Sequence, residues 1–296
     1  MRLTASTVTP ESGAPDPGAP NSGTADPQQL ELEIEHLRAE LDAERRRLQD
    51  ELAFARRVQL NLMPVSPPEV RGWEIATAYR PARQVGGDFY DLYAFPGRSW
   101  LIGFVVADVT GKGITAALMM AFSRAVLRSA AYNGSGPADA LRRTNRVLVR
   151  EARTGLFLTA LVGALDTRTG VVRWASAGHE APVLVRNGSG RASRLTAAGA
   201  LLGLFDPLPL RDRTTVLAPG DTLIVHTDGV TDARDAQGGF FGEQRYVEIV
   251  RRHASGGPMG LVRTIESVID GFQADTPPAD DLTLLAISRA KGDRSA

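Results

Sequence analysis

Val85-Gly86-Gly87-Asp88-Phe89-Tyr90-Asp91 and, after a short turn, Val105-Val106-Ala107-Asp108-Val109-Thr110-Gly111-Lys112-Gly113 decide how this chain is read. The flanking segments are rich in aromatic and β-branched residues, and Phe95-Pro96-Gly97-Arg98 between them is turn chemistry, so the two stretches form a β-hairpin. With the turn centred near Arg98, Asp88 lies opposite Asp108. Directly opposed Cβ atoms sit roughly 4.5 to 5.5 Å apart, and like charges there repel. Either one carboxyl keeps its proton or a cation sits between the two. Oxygen ligands of this kind suit Mg²⁺, Mn²⁺ or Ca²⁺.

Two further acidic positions fit the same cluster. In Asp221-Thr222-Leu223-Ile224-Val225-His226-Thr227-Asp228-Gly229 an apolar strand ends on an aspartate, and the glycine after it lets the backbone turn sharply. In Pro277-Pro278-Ala279-Asp280-Asp281-Leu282-Thr283-Leu284-Leu285-Ala286-Ile287 a pair of aspartates opens the last strand. Aspartate is common at strand ends because it hydrogen-bonds its own backbone, so any one of these residues is weak evidence. Together they place four carboxylates on one sheet edge.

From about Glu51 to Arg289 the chain resembles the metal-dependent protein phosphatases (PPM family), specifically their bacterial SpoIIE-type branch, which includes the phosphatases of sigma-factor partner switching. The resemblance is carried by Arg57-Val58-Gln59-Leu60-Asn61-Leu62-Met63-Pro64, the two stretches around Asp88 and Asp108, Ser176-Ala177-Gly178-His179, Thr227-Asp228-Gly229-Val230-Thr231-Asp232-Ala233 and Asp280-Asp281-Leu282-Thr283. All stand in the family's order and spacing. The resemblance implies that Asp88, Asp108, Asp228 and Asp280 form the catalytic set around two Mn²⁺ or Mg²⁺ ions. Asp108 would bridge both ions, with the Val109 carbonyl as a further ligand; Asp88 would hold one ion, Asp228 and Asp280 the other. Asp281 stands as the alternative to Asp280, which is preferred because the family's motif begins with its ligand. Two divalent cations balance four carboxylates and lower the pKa of a shared water, which can attack phosphorus in line without a covalent phosphoenzyme. The implied activity is hydrolysis of phosphoserine or phosphothreonine on a protein, and the implied substrate is a phosphorylated anti-sigma-factor antagonist.

Other candidates carry less. Asp91 is three residues from Asp88, so on a strand it faces the other way and is read as supporting. His179 matches a family position but is kept out of the metal set. By alternation His226 shares the inward face with Asp228, and Arg83 is read as a surface arginine. Lys112 does not belong to a P-loop, which needs glycine where Val106 stands and Ser or Thr where Gly113 stands.

The 296 residues allow one or two domains, and 43% hydrophobic residues support a sizeable core. Lys+Arg and Asp+Glu balance at 34 each, so no basic excess argues for nucleic acid or a membrane surface. The absence of cysteine excludes disulfides, thiolate metal sites and a cysteine nucleophile. Residues 1–27 have the composition of a disordered tail, and 291–296 form a second tail. Without a signal-peptide core or about 20 uninterrupted apolar residues, a soluble cytoplasmic protein is expected.

Residues 28–63 lack glycine and proline and favour helix. Leu30, Ile34, Leu37, Leu41, Leu48, Ala55, Val58 and Leu62 follow heptad steps, interrupted by Glu44 and Glu51. A parallel coiled coil forming a homodimer is the favoured reading, and a single amphipathic helix packed on its own domain is the alternative. Residues 70–290 then form the phosphatase domain. Its pattern begins with a strand from Trp73 to Tyr79, the hairpin, and a helix after Gly113 with Leu118, Phe122, Ala125 and Val126 on its packing face. A second helix starts at Pro137. Strands follow from Phe157 to Leu165, Val171 to Ser176 and Pro182 to Arg186, read as consecutive hairpins, then helices from Glu243 to His253 and Met259 to Phe272 before the last strand. This order fits an α/β (α+β) fold, a four-layer α/β/β/α sandwich of two mainly antiparallel sheets preceded by a coiled-coil helix. Competing readings are a catalytically silent regulatory module and a two-aspartate nucleotide cyclase. The cyclase leaves the Thr227-Asp228-Gly229 and Asp280-Asp281 elements unexplained.

Overall fold

A computed structural model describes residues 27–151, 155–187, 189–196 and 199–292. The expected N-terminal tail lies outside them up to residue 26, and Pro27 already opens helix α1 (Pro27–Leu62). Its Glu, Arg, Leu and Ala content favours helix throughout, and Pro64 prevents its continuation. The helix is divided between two compact units. Its stretch up to Asp50 belongs to the first, and its last turns from Glu51 belong to the second with all that follows. In the first unit Leu30, Ile34, Leu37, Leu41 and Leu48 are each about half exposed.

The second unit contains two five-stranded sheets in which every ladder is antiparallel. One sheet runs β1 (Trp73–Arg80), β10 (Leu282–Arg289), β9 (Thr222–His226), β6 (Val183–Arg186) and β7 (Arg191–Arg194). The other runs β2 (Phe89–Phe95), β3 (Arg98–Val109), β4 (Leu158–Asp166), β5 (Val171–Ala177) and β8 (Arg213–Val216). Helices α2 (Ile114–Asn133) and α3 (Pro137–Glu151) cover the sheet containing β3, and α4 (Glu243–His253) and α5 (Gly257–Gln273) cover the sheet containing β10.

β3 shows why the layers stack this way. Ile102, Phe104 and Val106 enter the core between the sheets, whereas Val105, Ala107 and Val109 enter the core under α2 and α3. A strand buried on both faces needs a near-continuous apolar run, which is what Ser99 to Ala107 supplies. β10 repeats the logic, with Leu285 and Ile287 between the sheets and Leu284 and Ala286 under α4 and α5. The four-layer sandwich expected from the element order is therefore the observed one.

Three expectations are corrected. β5 and β6 do not form a hairpin; after β5 the chain crosses to the other sheet, where β6 pairs with β9 and β7. β7 and β8 were not anticipated, because Arg191–Arg194 and Arg213–Val216 are short, polar edge strands without apolar alternation. The packing face of α2 is also different: Ala116, Met119, Met120, Ser123, Leu127, Ala130 and Ala131 are buried, while Leu118 is 67% exposed and Phe122 39%. Both stripes repeat at helical spacing, so periodicity alone cannot choose between them. The choice is made by Arg124 and Arg128, whose guanidinium groups reach the buried Asp91 carboxylate of β2 and set the rotation of the helix. By length and composition Ile114–Asn133 is the one described helix that qualifies as a membrane span. Here it lies on a sheet with two charged residues tied to a buried acid.

Candidate metal centre

The β2–β3 ladder pairs Phe89 with Ala107. Continued by one residue, that register sets Asp88 beside Asp108, and the two carboxyl groups are hydrogen-bonding neighbours. Asp88 is buried, and its Oδ2 accepts hydrogen bonds from the hydroxyls of Thr227 (2.6 Å) and Thr283 (2.7 Å). Thr227 follows β9 and Thr283 lies in β10, so an acid from one sheet is stitched to the end of the other. Asp228 comes next after Thr227, and Asp280 shortly precedes β10. All four acids thus come from one end of the sandwich.

Their electrostatics show how closely they meet. Burial, then the charges of Asp108 and Asp281, hold Asp88 well above the usual carboxylate range. Burial pushes Asp108 up to about 6, with Asp280 and Asp281 adding to the rise and Lys112 opposing it. Burial pushes Asp228 up to about 7, assisted by Asp108, Asp280, Asp232 and Glu180. Protons or cations are needed to hold such a group together.

Asp280 and Asp281 are separated by their partners. The Oδ1 of Asp281 accepts the amide of Ala82 (2.8 Å), and its Oδ2 accepts those of Gly87 (2.7 Å) and Asp88 (3.3 Å). Its carboxylate is spent on holding the loop that presents Asp88. Asp280 is partly exposed, and among the described residues its carboxylate meets Lys112 Nζ at 3.1 Å and the backbone amide of Asp281. Lys112 also donates to the carbonyl of Ala279.

Two glycines bring backbones into contact here. A Cβ on Gly87 would stand 2.5 Å from the carbonyl oxygen of Val109, which leaves that oxygen at the site's edge with no room for a side chain in front of it. A Cβ on Gly229 would stand 1.9 Å from the carbonyl oxygen of Asp281. Gly229 is therefore required for close packing of β9's end on β10's start; its φ is not positive.

The donor set fits hard divalent cations: carboxylates and a carbonyl, with neither thiol nor imidazole among them. Among the described residues no three acid or histidine side chains are already closed around one point. The acids surround the site without forming a finished cage.

The remaining sequence candidates lie elsewhere. Asp91 faces α2, as its spacing from Asp88 predicts. His179 is buried and shares a hydrogen bond of 2.8 Å between Nδ1 and Thr159. His226 is turned to the helix layer, its ring centroid 4.1 Å from that of Tyr246 in α4, which corrects the expectation that it shares an inward face with Asp228. Burial pushes both histidines down to about 3. Arg83 is exposed. The sequence reading did not assign roles to Thr227, Thr283 or Gln59, although all three stand inside the quoted motifs. Gln59, in the last turn of α1, exchanges two hydrogen bonds with the backbone of Gly86, at 2.7 and 3.1 Å.

Residues 99–290 match the family model described as Stage II sporulation protein E (SpoIIE). The chain belongs to the SpoIIE family. Among curated relatives, Protein IcfG of Synechocystis sp. is 31% identical over 266 residues, covering 81% of this chain and 41% of that protein. The phosphoserine phosphatase RsbU of Bacillus subtilis is 27% identical over 242 residues, covering 82% of this chain and 71% of that protein. This chain therefore spans about two fifths of IcfG's length. Among solved structures, the SiaA-PP2C domain of Pseudomonas aeruginosa superposes with a TM-score of 0.73 at 24% identity, over 85% of this chain and 99% of that one. The RsbU and RsbW domains of Rv1364c from Mycobacterium tuberculosis give 0.64 at 28% identity, over 78% and 64%.

Proposed function

We propose that this protein is a metal-dependent protein phosphatase that hydrolyses phosphoserine or phosphothreonine. The observation that carries the reading is the meeting of Asp88, Asp108, Asp228 and Asp280 at one end of the sandwich, with the Val109 carbonyl beside them. In this reading Asp88, Asp108, Asp228 and Asp280, with the Val109 carbonyl, would hold two Mn²⁺ or Mg²⁺ ions. When bound, such ions supply Lewis-acid stabilisation of phosphoryl oxygens and a lowered pKa for water.

The chain's own groups do the positioning. Thr227 and Thr283 both donate to one oxygen of Asp88, its Oδ2, and so fix the carboxylate beside Asp108. Asp281 holds the Gly87–Asp88 backbone in place, which makes it a positioning residue and leaves Asp280 as the ligand of the pair. Lys112 steadies Asp280 and adds a positive charge where a phosphate would arrive. His179 and His226 are engaged elsewhere, the first through Nδ1 with Thr159 and the second against the ring of Tyr246, and neither is given a part in the reaction.

The name of RsbU, a phosphoserine phosphatase, supports the substrate class. The SpoIIE-family match supports a partner-switching role, with a phosphorylated anti-sigma-factor antagonist as the substrate. The half-exposed leucines of α1 support a homodimer through that helix. The test is hydrolysis of p-nitrophenyl phosphate with Mn²⁺, with EDTA, and in Asp108→Ala and Asp228→Ala. Turnover lost on chelation and reduced at least ~100-fold in both variants is expected for this class of catalysis. Undiminished turnover in EDTA, or absence of Mn²⁺ binding by calorimetry, would overturn the assignment.

A further inference from the structure

Toward the other end of β3 from Asp108 lies a cavity of about 410 Å³, lined by Arg98 and Leu101 of that strand. It sits where α2 ends and α3 begins, above β2 to β5. Small residues create it: Ala131, Gly136 and Ala140 around the helix junction face Ala164 of β4, and none is long enough to meet its opposite. The junction is fixed in place by the Arg173–Asp212 ion pair (2.6 Å), which packs so tightly on Gly136 that a Cβ there would stand 2.5 Å from the carboxylate.

Protein interiors leave few voids larger than a water molecule, and this volume falls within the roughly 300–1,000 Å³ of small-molecule sites. Its wall is aromatic. Tyr93 and Phe95 line it and meet each other edge to face at 5.5 Å. The Tyr93 hydroxyl is buried and has no hydrogen-bond partner among the described residues. Three charged side chains stand at the rim. Asp166 is bound by Arg168 at 2.8 Å and Arg173 by Asp212, whereas Arg98 has no ionic partner among the described residues. The uncompensated charge of the rim is therefore one guanidinium.

We propose that this cavity is a second ligand site, for a small aromatic carboxylate whose ring lies against Tyr93, Phe95 and Ala164 and whose acid group pairs with Arg98. The apolar, aromatic wall selects the ring, and a planar guanidinium at the rim selects a planar carboxylate. The inference does not rest on the phosphatase reading, because it uses no residue of the acidic centre.

Ligand-observed ¹⁹F NMR of the full chain with 4-fluorobenzoate tests it, with 4-fluorobenzyl alcohol as the neutral counterpart. Saturable binding of the carboxylate is expected, with the alcohol about tenfold weaker for want of the charged hydrogen bond. Arg98→Gln, on an exposed side chain with no ionic partner among the described residues, should weaken the carboxylate by a similar factor and leave the alcohol unchanged. Ala164→Leu, which fills the cavity from its floor, should abolish binding of both. The proposal is overturned if 4-fluorobenzoate shows no saturable binding below ~5 mM, if binding survives in a natively folded Ala164→Leu protein, or if Arg98→Gln leaves the two probes' affinities as they were.

Discussion

Asp108→Asn should stabilise the metal-free protein while destroying its proposed function, and the sign follows from the surroundings of this carboxylate. Its pKa in the folded chain is about 6 against an ordinary 3.8, because it is largely buried and feels Asp280 and Asp281. Below about pH 3 folded and unfolded chains both carry the proton, so the group costs nothing. As pH rises from about 4 to about 6 the unfolded chain releases the proton first, and folding is progressively penalised. Above 6 the penalty is complete. Raising an aspartate from 3.8 to about 6 corresponds to about 3 kcal/mol, which solvent at a partly exposed site reduces to about 1–2 kcal/mol. The neutral isostere removes that penalty. In EDTA at pH 8, calorimetry should show Tm higher by about 3–6 °C in Asp108→Asn, given the response of a domain of this size. Below about pH 3 the carboxyl no longer distinguishes the two proteins. Saturating Mn²⁺ should reverse the order, since only the wild type gains the stabilisation of a bound ion, about 2.7 kcal/mol at 100 times Kd. A lower Tm for Asp108→Asn in EDTA at pH 8, or an equal rise at both pH values, would refute the electrostatic reasoning.

Asp281→Asn should cost about 2–3 kcal/mol in urea unfolding because a carboxylate accepting three backbone amides is lost. Asp280→Asn should stay within ~0.5 kcal/mol of wild type in EDTA and lose Mn²⁺-dependent turnover; the opposite pattern would exchange their roles. Met120→Ala should cost ~2–5 kcal/mol as a fully buried side chain, and Leu118→Ala no more than ~0.5 kcal/mol, so equal losses would contradict the observed rotation of α2. Leu37→Asp combined with Leu41→Asp should convert a dimer to a monomer in analytical ultracentrifugation and change phosphatase activity with it; unchanged values of both would remove α1 as the dimer seam.

Much of the fold was legible because its signals are local. The Phe95-Pro96-Gly97-Arg98 turn, the apolar run of Ser99 to Ala107 and the helical content of Glu243 to His253 each specify an element without reference to the rest of the chain. The hairpin register was legible too, since turn position determines which residues face one another, and Phe89 does pair with Ala107. What failed was every decision that two local solutions satisfy equally. Val183–Arg186 reads as a strand whichever sheet it joins. The apolar stripe Leu118, Phe122, Ala125 and Val126 is as regular as the stripe through Met119, Ser123 and Leu127 that is buried.

At the acidic end of the sandwich the division is the same. Sequence alone determined the inventory of carboxylates, the absence of thiol chemistry and the strand ends on which Asp88, Asp108, Asp228 and Asp280 stand. Only the tertiary structure decided what each acid touches. Asp280 and Asp281 are neighbours with the same side chain, and they differ because the loop from Ala82 to Asp88 folds back across one of them and offers it three amides. Thr227 and Thr283 became partners of Asp88 because two sheets far apart in sequence meet at that end. Contacts of this kind depend on which distant backbone arrives beside a residue, and no periodicity or turn preference encodes that.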